Sequence, residues 1–124
     1  MVATDHAPHG REKESGILEN PPFGVTALET AFPVLFTRLV ETGALSLTRL
    51  LASLTTSPAR LLGIDADLEV GKKADLVVLD LKEEKVVDPE QFKSRGTNSP
   101  FIGSTLKGWP SLTLVNGKEK FSCS

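Results

Sequence analysis

The stretch VATDHAPHGREK, residues 2–13, crowds Asp5, His6 and His9 around Pro8 directly behind a short apolar lead-in. Both histidines of the chain fall in it. Residues 1–5 read as the tail of a β-strand, and the residues after them read as a loop at that strand's end. Asp and His are ligands for Zn²⁺ or Mn²⁺, and an Asp beside a metal-bound hydroxide can shuttle protons in hydrolysis. The same residues also make a plain polar turn, with Asp5 accepting backbone N–H bonds and the imidazoles in water. A catalytic zinc takes about three protein ligands plus an open position. Too few histidines are present to build that set, and the single cysteine, Cys123, stands at the far end. If Asp5 touches a metal, the other ligands come from outside this sequence.

Working outward, residues 10–24 are polar and punctuated by Gly16, Pro21, Pro22 and Gly24, which predicts a long loop of the kind that tends to carry function or disorder. Thr26 and Glu29 have the spacing of a capping box ahead of Leu28, Phe32, Leu35, Phe36, Leu39 and Val40. That pattern predicts an amphipathic helix over 27–42, ended by Gly43. Pro33 inside it should remove the bond to the Glu29 carbonyl and kink the rod. Ser46 is placed to cap a second helix with Leu47, Leu50, Leu51 and Leu54 on one face, and Ser57-Pro58 opens a short third that stops at Gly63. From Leu68 the texture changes. Residues 74–80 read as a strand, and Leu112–Val115 runs into Asn116-Gly117, a strong hairpin signal. Helices therefore come first and a small sheet second, with the boundary near residues 63–68.

The 124 residues are 40% apolar and 24% charged, a globular composition with room for a modest core. The net charge of −2 is spread evenly, with five basic and six acidic side chains in residues 1–62 and nine and ten in residues 63–124. This offers no electrostatic footprint for nucleic acid or for anionic lipid. No run approaches the roughly eighteen apolar residues of a membrane span, and no signal peptide is legible after Met1, so no membrane association and a cytoplasmic location are expected. Arg11, Glu12, Lys13 and Glu14 read as solvated loop charges, Trp109 as a local packing residue beside the hairpin, and Phe23 equally as a pocket wall or a loop plug.

Thr4-Asp5-His6-Ala7-Pro8-His9, Pro22-Phe23-Gly24, Leu28-Glu29-Thr30-Ala31-Phe32-Pro33, Ser57-Pro58-Ala59-Arg60, Gly71-Lys72-Lys73-Ala74-Asp75-Leu76-Val77 and Val115-Asn116-Gly117 together resemble the C-terminal portion of dihydroorotase. The likeness covers nearly the whole chain in the family's order. The two closing motifs are common to many amidohydrolases, whereas D-H-A-P-H followed by P-F-G and L-E-T-A is closer to dihydroorotase than to hydantoinases or allantoinases.

The resemblance implies an α/β fold: a C-terminal fragment of a metal-dependent (β/α)₈ amidohydrolase barrel plus part of a small β-sandwich domain. Residues 1–65 would supply the last barrel strand, its active-site loop and the closing helices, and residues 66–124 the β segment. The implied activity is hydrolysis or closure of the cyclic amide of dihydroorotate, interconverting it with carbamoyl aspartate in pyrimidine biosynthesis, with one or two zinc ions. Asp5 matches the family's metal-contacting aspartate, which moves a proton from the bridging hydroxide to the leaving amide nitrogen. His9 matches a residue that binds the substrate carboxylate, and Pro22, Phe23 and Gly24 match backbone contacts to the ring. His6 carries no role. The family's H-x-H pair, its carboxylated lysine and two further histidines have no counterparts here, and a barrel of roughly 250 residues cannot be built from the first 65. A fragment inactive alone is therefore expected, in a homo-oligomer. The alternative is a non-catalytic assembly module derived from a dihydroorotase, with aspartate transcarbamoylase as a partner.

Overall fold

Ser46 begins the most regular helix. Its hydroxyl accepts the Arg49 amide at 3.3 Å, as an N-cap should, and α2 runs Leu47–Leu54 with Leu50 fully buried. These observations come from a computed structural model, which describes residues 1–9 and 23–123. The next helix, α3, spans Thr56–Leu62 and ends at Gly63, whose φ of 66° lies in the left-handed region that a residue without Cβ adopts freely. Pro58 falls in the first turn, where N–H groups have no intrahelical acceptor to lose.

The helix expected over 27–42 is shorter and differently built. It starts as α1, Ala31–Leu35, and continues as a π-helical turn, Phe36–Val40, closed by the Glu41 amide on the Phe36 carbonyl at 3.0 Å. Because the start is at Ala31, Pro33 lies in the first turn and breaks no bond. The irregularity of this helix is the π turn.

Three antiparallel strands come next, in the order β1 (Leu76–Val86), β2 (Thr105–Val115) and β3 (Lys118–Ser122). Asn116 and Gly117 join β2 to β3 with φ of 51° and 71°, the two positive values that a two-residue I′ turn requires. β1 outruns the expected 74–80 because a bulge lets its polar half keep pairing. Asp80 accepts the amides of Lys82 and Glu83 at 2.8 and 3.0 Å, and Glu84, Lys85 and Val86 then pair with Lys107, Leu106 and Thr105. Those amides also hold the Asp80 carboxyl below the usual carboxylate range.

The core lies where β2 crosses α1 and the π turn. Phe32 and Phe36 stack with centroids 5.8 Å apart over Gly108, where a Cβ would come within 2.9 Å of Phe32 and 3.0 Å of Phe36. Leu106 and Val87 are also buried. Thr37 Oγ1 accepts the Lys107 amide at 2.9 Å, tying helix to strand. Residues 1–5 form no strand. Among the described residues, the segment's backbone links are Val2 N–H on Ser53 O at 3.0 Å and, just beyond it, a parallel bridge between His6 and Val25, with no longer neighbour for it to pair with. Among the described residues, no helix is long and apolar enough to cross a membrane.

Candidate active site

Asp5 stands in the left-handed region at φ 46°, a conformation that non-glycine residues seldom adopt but that Asp tolerates better than most. Its side chain is exposed, and among the described residues its carboxylate takes no hydrogen bond. Backbone strain of this sort clusters at functional sites, where the surroundings over-determine it.

Those surroundings come from three parts of the chain. His6, next to Asp5, accepts the Ala27 and Leu28 amides on Nδ1 at 3.0 and 3.2 Å. The proton of the neutral ring is then on Nε2, which lies 3.3 Å from Ser94 Oγ. The Glu29 carboxylate accepts the Ser94 amide on Oε1 at 2.8 Å. Burial alone would raise the Glu29 carboxyl, but the hydroxyl and amide of Ser94 outweigh it and hold the group below the usual carboxylate range. The expected capping box between Thr26 and Glu29 does not form. The N–H groups ahead of α1 are satisfied by a ring 21 residues away, which no local pattern announces.

Asn98 is the second anchor. Its Oδ1 accepts the His9 amide at 2.9 Å and faces Thr26 Oγ1 at 2.9 Å. Its Nδ2 donates to the carbonyls of Ala7 and Gly24 at 3.2 and 3.1 Å. Buried Thr26 also reaches the Gly96 carbonyl through its hydroxyl at 3.0 Å and the Asn98 carbonyl through its amide at 3.1 Å. Gly96 is buried, and a Cβ on it would come within 2.5 Å of the His9 carbonyl and 2.7 Å of its amide nitrogen. Sequence reading passed over Ser94, Gly96 and Asn98. The Gly-Thr-Asn run of residues 96–98 signals a turn, and nothing in it points to residues 6–9.

His9 Nε2 lies 2.6 Å from the Phe23 carbonyl, so a proton there binds the two arms of the loop together. Phe23 is 92% exposed, and Gly24 has φ 108° with a Cβ position that would overlap the Ala7 methyl. Asp5, His9, Phe23 and Gly24 thus lie on two adjoining segments. Pro22 lies outside the described residues.

A metal centre does not fit the described residues alone. Among them no three His, Cys, Asp or Glu side chains converge, both nitrogens of His6 are engaged, and His9 Nε2 faces a carbonyl. Of Asp5, His6 and His9, Asp5 is the one whose side chain makes no hydrogen bond among the described residues. Away from the site, Trp109 donates its indole N–H to Leu106 O at 2.7 Å within β2.

The loop thus shows an exposed aspartate and a half-buried histidine, held by residues 23–28, Ser94 and Asn98. The sequence matches the model of the Amidohydrolase family over residues 1–120, and the chain belongs to that family. It is 52% identical over 119 residues to a dihydroorotase of Brevibacillus brevis and 50% identical to one of Anoxybacillus flavithermus, in each case over 95% of this chain. The chain spans 28% of the length of these curated relatives. Among solved structures it is similar to the L-hydantoinase (dihydropyrimidinase) of Arthrobacter aurescens, with 40% identity, a TM-score of 0.76 and coverage of 82% of this chain and 23% of that one. It is also similar to a D-hydantoinase (dihydropyrimidinase) from Thermus sp., with 29% identity, a TM-score of 0.86 and coverage of 98% and 28%.

Proposed function

We propose that this chain is the C-terminal portion of a dihydroorotase-type cyclic amide hydrolase, which interconverts dihydroorotate and carbamoyl aspartate. The observation that carries the reading is Asp5: a carboxylate held on a strained backbone, exposed on a loop that six hydrogen bonds involving side chains fix through His6, Ala7 and His9. Identity of 52% to a dihydroorotase, against 40% to the L-hydantoinase, favours dihydroorotate over hydantoins. In this reading residues 1–65 contribute the end of a (β/α)₈ barrel and residues 66–124 part of a small β domain.

Hydrolysis adds water to the ring carbonyl, breaks the C–N bond and leaves an amide nitrogen that needs a proton. Asp5 takes the proton from the attacking water and delivers it to that nitrogen. His9 receives the substrate carboxylate, and the Phe23-Gly24 backbone lies along the ring. One or two zinc ions would polarise the carbonyl in the complete enzyme, with Asp5 as this chain's ligand and the rest supplied from elsewhere.

The test is turnover by the full-length protein that carries this segment. Dihydroorotate should be hydrolysed, and hydantoin and dihydrouracil should be poor substrates. Preference for hydantoin would reassign it as a hydantoinase. No turnover of any of the three would favour an assembly module, for which association with aspartate transcarbamoylase is the next measurement.

A further inference from the structure

We propose that Asn98 is a positioning residue of the candidate active site, a clamp that sets the His9 arm of the loop against the Gly24 arm. The proposal rests on the hydrolase reading of that loop and adds a residue from the distant C-terminal half to it. An amide side chain has two donor hydrogens and an acceptor oxygen, and Asn98 uses all of them on the two arms: His9 N–H and Thr26 Oγ1 on Oδ1, Ala7 O and Gly24 O on Nδ2. No other side chain among the described residues bonds both arms at once. The approach is close because residue 96 has no Cβ, so the His9 backbone rests against the chain just before Asn98.

The consequence is for binding. His9 and Gly24 would meet the substrate, and their arms, joined directly by Ala7 N–H on Val25 O at 2.9 Å and by His9 Nε2 at 2.6 Å from Phe23 O, are tied to each other a further time through Asn98, whose Oδ1 and Nδ2 each contact both arms. Loss of the clamp leaves those direct links but frees the His9 amide and the Gly24 carbonyl to shift, which weakens contacts made in ground and transition states alike, so KM rises while kcat changes little.

Two variants of the full-length protein and two readouts test this. In Asn98→Ala the His9 amide loses its acceptor, and its hydrogen exchange should accelerate about tenfold or more. The Thr26 amide bonds the backbone carbonyl of Asn98, which the substitution leaves in place, and its exchange should not change. In Asn98→Asp the acceptor for His9 remains and the donors to Ala7 and Gly24 are lost. The His9 amide should then stay protected while KM for dihydroorotate rises about tenfold, with kcat within about threefold of the parent. Joint loss of protection at His9 and Thr26 would mean general packing and overturn the clamp. So would an unchanged His9 amide in Asn98→Ala, or an unchanged KM in Asn98→Asp. A protein with no dihydroorotate turnover sinks the hydrolase reading instead, and the clamp is then decided by the His9 and Thr26 amides alone.

Discussion

Asp5 and His9 separate cleanly by what their replacement should change. Asn tolerates the left-handed region as Asp does, so Asp5→Asn should keep the backbone at φ 46° and the stability of the parent while removing the proton carrier. In the full-length protein kcat should fall by about 10²–10⁴, the usual scale of general acid–base catalysis, and a near-normal kcat would show that the proton travels by another route. His9→Ala should raise KM by roughly tenfold to a hundredfold, the worth of a charge-assisted hydrogen bond, with bound metal unchanged. Metal loss at constant KM would make His9 a ligand. These two residues were conspicuous in the sequence because the chemistry proposed for them would lie in their side chains. His6 was not, because its part is to accept the backbone amides of Ala27 and Leu28, and an imidazole's partners are set by the fold.

Elements announced by short-range chemistry were readable. Ser46 capping α2, Gly63 closing α3 and the Asn116-Gly117 turn each act within four residues. Ser46→Ala should cost about 1 kcal/mol, measured by urea denaturation. The start of α1 was misread because Thr26 and Glu29 are drawn instead to Gly96, Asn98 and Ser94, and the second half of β1 was missed because Lys82, Glu83, Glu84 and Lys85 hide a paired strand behind charge. The tightest joint between elements is Gly108 under the Phe32–Phe36 stack. Gly108→Ala adds a methyl against both rings at a φ of 85°, and should destabilise by roughly 1–3 kcal/mol from overpacking, with more from the backbone. A Gly108→Ala protein with the parent's denaturation midpoint would show that the helix can shift away from β2.

For the molecule as a whole, Glu29 joins the helical and β halves through Ser94. Its carboxyl is held below the ordinary value when folded, so its contribution is present above the ordinary carboxylate pKa and is lost as pH falls through the lowered one. Glu29→Gln should therefore flatten the acid limb of a stability-against-pH curve, and an unaltered limb would place the acid sensitivity elsewhere. The 124-residue chain should retain well under about one equivalent of zinc after dialysis, since no three potential ligands converge among the described residues and a lone carboxylate holds metal weakly. Stoichiometric zinc with turnover of dihydroorotate would show that these residues suffice. The order of helices before sheet was legible from composition, whereas the meeting of residues 6–9 with 94–98 was not, because pairings across that separation leave no periodic trace. That separation also has a temporal side. The Asn98 amide lies 89 residues beyond the His9 nitrogen it grips, and a ribosome adding roughly 5–20 residues each second needs on the order of 5–20 s to make the stretch between. During that interval the nascent loop lacks its clamp, so the segment with the candidate chemistry can take its final shape only after residue 98 has been made.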